Sequence, residues 1–152
     1  MSVVVRGVER HEVSAAVRVI EAGSLHPGAE SPDDVVPYWA AVEETRAAGG
    51  DVLVAVDAGE VVGVAQVVVF AHLQRTGGRC AEVESVHVRA DRRGEGIGAA
   101  LLARAEALAR ERGCYRIQLT SNVVRTDAHR FYGRLGYEPT HVGFKKYLVD
   151  LA

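Results

Sequence analysis

The chain has 152 residues, enough for one domain with a real core, and its 48% hydrophobic and 25% charged composition is that of a globular protein. A formal net charge of -2, from 18 basic and 20 acidic residues, argues against nucleic acid as a partner, which needs a basic face. The opening MSVVVRGVERHE turns charged too soon for a signal peptide, the longest apolar run (Val61–Ala71) is far short of a membrane span, and Cys80 and Cys114 lack metal-ligand spacing; these features point to the cytoplasm, no membrane, no metal and reduced thiols.

In chain order, Val3–Val8 reads as a first strand. His11–Gly23 reads as a helix with Val13, Val17 and Ile20 on one face and Gly23 as its stop. The stretch 24–39, SLHPGAESPDDVVPYW, is irregular. Ser31-Pro32-Asp33-Asp34 has the composition of a helix start, with a capping serine, a first-turn proline and acids near the positive end. Pro37 conflicts with a smooth helix, so the main helix kinks or begins there and ends near Gly49-Gly50.

Val52–Val56 and Val61–Ala71 are β-branched runs joined by Asp57-Ala58-Gly59-Glu60, which predicts a hairpin. Cys80–Val88 is another strand whose apolar phase slips: Val83, then Val86 and Val88, with Glu84-Ser85 between. Such a slip predicts a β-bulge, a device common beside active sites. Ile97–Arg112 is a helix with Ile97, Leu101, Leu102, Ala105, Leu108 and Ala109 as one apolar stripe, stopped by Gly113. Tyr115–Asn122 alternates as a strand. Thr126–Gly136 is a short helix with Ala128, Phe131, Tyr132 and Leu135 at helical spacing, and residues 137–150 predict one or two closing strands. This order gives an α/β protein with a largely antiparallel sheet and one strand-helix-strand crossover.

The stretch RRGEGIG (Arg92–Gly98) joins the Cys80–Val88 strand to the long helix. Gly94, Gly96 and Gly98 let the backbone approach a ligand and aim N–H groups at it from a helix N-terminus, and Arg92 and Arg93 add forked donors. The alternative is a surface turn whose glycines only make a tight join. A Walker loop is excluded, because no Lys-Ser/Thr follows. A dinucleotide fingerprint is matched loosely by Gly94, Gly96 and Ala99, but the next strand ends LTSN without the acid that holds the ribose.

What remains, Arg93-x-x-Gly96-x-Gly98, resembles motif A of the Gcn5-related N-acetyltransferases, which cradles the coenzyme A pyrophosphate. The surrounding AEVESVHVRADRRGEGIGAALLARAEALARERG resembles the family's strand, loop and helix, and LTSNVVRTDAHRFYGRLGYE resembles its motif B. The resemblance covers about residues 51–148. It implies a mixed, mostly antiparallel central sheet flanked by helices and splayed at the acetyl-CoA site, with acetyl-CoA as cosubstrate. It places the coenzyme on Arg93, Gly94, Glu95, Gly96, Ile97 and Gly98, with Val86, His87 and Val88 along the strand and Asn122 and Tyr132 farther on. A homodimer is also implied.

Acetyl transfer to an amine needs a base for the ammonium proton, a donor to polarise the thioester carbonyl and an acid for the departing thiolate. The resemblance puts the base at Glu82, with Glu84 as competitor, the polariser at the main-chain N–H near Val86, and the acid at Tyr132. A carboxylate on a central strand beside a cleft is expected to have a raised pKa. His72, His87 and His141 rival these bases by pKa alone. Ion pairing on the sheet is the structural alternative for the glutamates, as a core aromatic is for Tyr132 and a turn-former for Asn122. Phe131 and Leu135 read as core.

The tail, TSNVVRTDAHRFYGRLGYEPTHVGFKKYL, is similar to that of the aminoalkylphosphonate N-acetyltransferases, which acetylate small amines bearing an anionic group and are associated with a divalent metal. The acceptor implied is a small-molecule primary amine, with Arg125, His129, His141 and Lys145 as candidate anion contacts and residues 24–39 as acceptor wall. Asp33 and Asp34 there suit helix capping or attraction of a cationic amine. A protein or peptide N-acetyltransferase, and a sensor that binds acyl-CoA without turnover, are the alternatives.

Overall fold

The computed structural model describes residues 2–151 and divides into two compact units, residues 1–119 and 120–152. In the first unit, β1 (Val4–Gly7), β2 (Asp51–Asp57), β3 (Glu60–Ala71), β4 (Arg79–Val88) and β5 (Cys114–Leu119) form one sheet in that order. Every neighbouring pair is antiparallel except β4 and β5. These two are joined by the predicted crossover, helix α4 (Ile97–Glu111). The β2–β3 turn is Ala58-Gly59, both with positive φ (49° and 80°), as the tightest hairpins require.

After a 3₁₀ turn (Arg10–Glu12), α1 spans Val13–Ala22, and α2 spans Val35–Ala47. The second of these helices starts beyond Ser31, and the N–H of Asp34 turns back to the Ser31 carbonyl (3.0 Å). Pro37 is then the third helical residue. First-turn N–H groups have no intrahelical acceptor, so its missing donor costs nothing. Gly50 ends the connection by lying against β3, where a Cβ would stand 2.0 Å from the Val67 carbonyl oxygen. A single turn, α3 (Gln74–Gly77), caps the far end of β3 with Arg75 and Thr76 in the left-handed region.

The sheet's two faces are read from adjacent residues. Val54 and Val64 belong to the core cluster formed with Val13, Ala16 and Val17 of α1 and Val42 of α2. Gly63, one residue along, faces α4: a Cβ there would meet Leu101 at 3.0 Å and Ile97 at 3.1 Å. All six residues of the predicted apolar stripe of α4 are buried. Helices α1 and α2 therefore cover one face and α4 the other.

In the second unit, α5 spans Thr126–Arg134. Phe131 and Leu135 are half-buried, and the rings of Phe131, Tyr132 and Tyr137 pack in succession (centroids 5.2 and 6.1 Å apart). The closing strands expected over residues 137–150 are absent among the described residues. After Pro139 the Thr140 N–H turns back to Glu138 (2.9 Å). The alternating Val142, Phe144 and Leu148 are exposed. Alternation marks a segment able to form a strand, but a strand exists only where a ladder partner takes its N–H and C=O groups.

Candidate active site

The predicted bulge lies in the middle of β4. Glu84 pairs with Gln66 and His87 with Val64, so Ser85 and Val86 together oppose the single residue Ala65. Ser85 takes φ 53°, a left-handed conformation that is strained for a residue with a Cβ. The extra residue puts Val88, paired with Gly63, back on the α4 face with Val83, paired with Val67. It also keeps Glu84 and His87 on the same face, despite their three-residue spacing. The β5 ladder ends at the same level: the last β4–β5 pair is Val83–Leu119. From Glu84 to Val88, β4 has no strand partner on its β5 side within the first unit. That is the splay expected of the fold.

The glycine loop follows directly. Gly94 and Gly96 have φ of 80° and 83°, and a Cβ at either would meet nothing within 4 Å. The loop backbone is thus open on its outer side, and these conformations suit glycine. The first intrahelical bond of α4 is Ala100 N–H to Gly96 C=O (3.0 Å), which leaves the preceding first-turn amides of Ile97, Gly98 and Ala99 for an external acceptor. Such a nest suits a pyrophosphate. Arg93 is exposed and has no ion-pair partner among the described residues. Arg92 differs from the sequence expectation: its fork is taken by Asp57 (2.8 Å) and Glu95 (2.9 Å). These carboxylates hold the Arg92 guanidinium above its ordinary range, Glu95 contributing most. Arg92 in turn, with Ser2, holds the Asp57 carboxyl below its ordinary range. The Glu95 side chain serves this brace.

Glu82 and Glu84 share a face. Gln66 turns toward α2, where its Nε2 donates to Thr45 Oγ1 (3.1 Å). Glu84 pairs with Gln66 across the ladder, and Glu82 with Val68 two residues on, so both carboxylates lie on the α1/α2 face. Glu82 is half-buried and accepts a hydrogen bond from Gln118 Nε2 (3.2 Å). His87 is half-buried near the C-terminus of α1, where a Cβ on Gly23 would stand 2.5 Å from its Nδ1. His72 is engaged with the Tyr115 hydroxyl (2.7 Å) at the other end of β3.

Asn122 and Tyr132 belong to the second unit. The Asn122 side-chain oxygen accepts the Val124 N–H (3.1 Å), and its carbonyl meets His129 Nε2 (2.9 Å). Burial raises the Tyr132 phenol above its ordinary value, with the Arg125 charge opposing. His141 pairs with its neighbour Thr140 (2.7 Å), and Lys145 is exposed. Near the start of the chain, Glu9, His11 and Glu12 bring ligand-type atoms within 4.8 Å of one another. Both Glu12 oxygens, however, are taken by Arg6 and one also by the Glu9 N–H.

Gln118 and Asp57 were missed by sequence reasoning. Gln118 meets Glu82 through the parallel register of β4 and β5, and Asp57 meets Arg92 from 35 residues away. Neither proximity leaves a local signal.

No helix among the described residues is long and apolar enough to cross a membrane. The model of the Acetyltransferase (GNAT) family matches residues 18–137. Over 90 residues the chain is 41% identical to an aminoalkylphosphonate N-acetyltransferase of Salmonella typhimurium, covering 59% of this chain and 58% of that protein. Over 109 residues it is 36% identical to glucosamine 6-phosphate N-acetyltransferase 1 of Oryza sativa subsp. japonica, covering 69% and 64%. The matches thus span about three-fifths of the length of these curated relatives. The crystal structure of a transcriptional regulator from Bacillus halodurans C-125 superposes with a TM-score of 0.86 at 30% identity, covering 96% of this chain and 99% of that one. The splayed β4, the open glycine nest and the match over most of the chain agree: the protein is a member of the GNAT family of acetyltransferases.

Proposed function

We propose that the chain transfers the acetyl group of acetyl-CoA to the primary amine of a small molecule. The observation that carries this reading is the open glycine nest at the N-terminus of α4, directly after the half of β4 that β5 leaves unpaired. Gly94, Gly96 and the first-turn amides fit a pyrophosphate, with the exposed Arg93 as the cation. Val86, His87 and Val88 offer main-chain groups to an extended pantetheine arm, and Asn122 completes the coenzyme's polar contacts. Acetyl-CoA supplies an activated acyl group and a thiolate leaving group.

The chain's own residues manage the protons. Glu82 or Glu84 takes the proton that the attacking amine must lose, directly or through a water. The Val86 N–H polarises the carbonyl as its C–S bond breaks and the new C–N bond forms. The Tyr132 phenol gives its proton to the departing sulfur. Its raised pKa keeps that proton in place at neutral pH. Arg125, His129, His141 and Lys145 are candidate contacts for an anionic acceptor group, as the names of the two curated relatives suggest.

Thiol release from acetyl-CoA against aminoalkylphosphonates, amino sugars, polyamines, amino acids and short peptides tests the reading, with and without a divalent metal. Turnover with a small amine is expected. Turnover confined to peptides would replace the acceptor class. A second reading, acyl-CoA sensing without turnover, draws support from the likeness to the Bacillus halodurans transcriptional regulator. Tight coenzyme binding with no acetylated acceptor would favour it.

A further inference from the structure

A half-open cleft of about 100 Å³ lies between α1, α2 and the sheet, lined by Ala16, Tyr38 and Ala41 on the helices and by Val64, Gln66 and Ser85 on the sheet, with Ala41 and Ser85 at its exposed rim. Two of its polar side chains are engaged elsewhere. The Tyr38 hydroxyl donates to Glu30 (2.7 Å) and accepts from the Ser31 N–H (2.8 Å). Gln66 donates to Thr45. The remaining wall is mostly hydrocarbon, and no lysine, arginine or histidine contributes to it.

The sheet side of the cavity reaches the β4 bulge. Ser85 lines it, Glu84 precedes Ser85 and pairs with Gln66, and Glu82 lies two residues farther on the same face. The cleft is therefore apolar, and Glu82 and Glu84 lie on the same face of the sheet beyond its Ser85 edge. An apolar cavity of about 150 Å³ accepts benzene; on that scale this one accepts about four methylene groups. A phosphate or carboxylate seated inside would lose part of its hydration and find no cation among the lining residues to offset that cost. An alkyl chain would meet the environment it prefers, with its ammonium directed to carboxylates.

We infer that the acceptor is a short, unbranched alkyl or similarly slender apolar primary amine, its chain seated between α1, α2 and β3 and its nitrogen at the acidic face of β4. This rests on the proposed acetyl transfer and replaces the anionic acceptor group that the relatives' names suggest with an apolar one. Ala16 and Ala41 are then specificity-determining residues, because their small side chains leave the space open.

The test is a series of linear primary amines from methylamine to octylamine, assayed for acetylation beside 2-aminoethylphosphonate and glucosamine 6-phosphate. Coenzyme A affinity is measured on the same protein by calorimetry. Each added methylene is expected to raise kcat/KM about fourfold, up to about four carbons, with a plateau beyond. Ala41→Phe, on the exposed side of α2, is expected to flatten the series without changing coenzyme affinity. Ala16→Leu, deeper in the cavity, provides a second obstruction. A flat series in the unaltered protein, or preference for either phosphorylated or phosphonylated amine over butylamine, overturns the inference. If coenzyme affinity persists in that case, only the acceptor class falls. If coenzyme A does not bind, the proposed reaction falls with it.

Discussion

At the scale of single residues, the proposed chemistry and the fold's stability rest on different carboxylates. Glu82 is half-buried beside Gln118 on the face assigned to the acceptor. Glu82→Gln is expected to lower kcat by about 100-fold or more and leave coenzyme affinity within about twofold; equal loss from Glu84→Gln alone would move the base there. Tyr132→Phe should also lower kcat. Because burial raises this phenol, the acid stays protonated past its ordinary range, so the alkaline limb of kcat should fall only above about pH 10. A limb near pH 8 that vanishes in Tyr132→Phe would contradict that assignment.

Glu12 has a structural task. It is 6% exposed and takes two bonds from Arg6 (2.9 and 2.6 Å) and one from the Glu9 N–H (2.9 Å). Arg6 is the largest cause of its depressed pKa; burial opposes the shift. A lowered folded pKa means that the stabilisation is complete above the unfolded carboxyl's range near 4.5 and is lost as pH falls through the lower folded value. Urea midpoints between pH 7 and pH 2.5 should reveal this loss, and Glu12→Gln should flatten it while removing about 2 kcal/mol at pH 7. A parallel pH dependence in the variant would assign the acid limb to other carboxylates.

At the scale of elements, turns and helices were legible because their signals are local. The α4 stripe follows the helical period, and every residue in it is buried. The bulge could be read from Val83, Val86 and Val88, since a phase slip in an otherwise alternating strand needs an inserted residue. The Ala58-Gly59 turn is a hairpin that accepts a Cβ at positive φ. Asparagine tolerates that conformation better, so Ala58→Asn is expected to stabilise the protein by about 0.5 kcal/mol, measured as a raised urea midpoint. A lower midpoint would mean that Ala58 makes a contact the turn geometry does not reveal. What sequence could not supply was pairing. Gln118 beside Glu82 depends on a parallel register, the Asp57–Arg92 brace spans two turns far apart in sequence, and the cavity is a volume left between three elements. The closing strands failed for the same reason: Val142, Phe144 and Leu148 alternate correctly but meet no ladder.

At the scale of the whole molecule, part of the chain's charge is neutralised in local ion pairs. Arg6, Arg18, Arg46, Arg89 and Arg92 each hold a carboxylate in the first unit. Arg93 has no ion-pair partner among the described residues, and it adjoins a glycine turn that is open on its outer side. A protein of net charge -2 thus keeps a local positive site where a helix terminus, two left-handed glycines and an exposed arginine coincide. This site is proposed to hold the pyrophosphate of coenzyme A. The most direct measurement is calorimetric titration of the purified protein with coenzyme A and, separately, with pantetheine, which has the same thiol arm without the phosphates and the adenosine. Two charge-assisted hydrogen bonds to the nest are together worth about 3 kcal/mol, so coenzyme A is expected to bind about 100-fold more tightly, with most of that margin lost in Gly96→Val. Equal affinity for the two ligands, or a margin that survives Gly96→Val, would contradict the account.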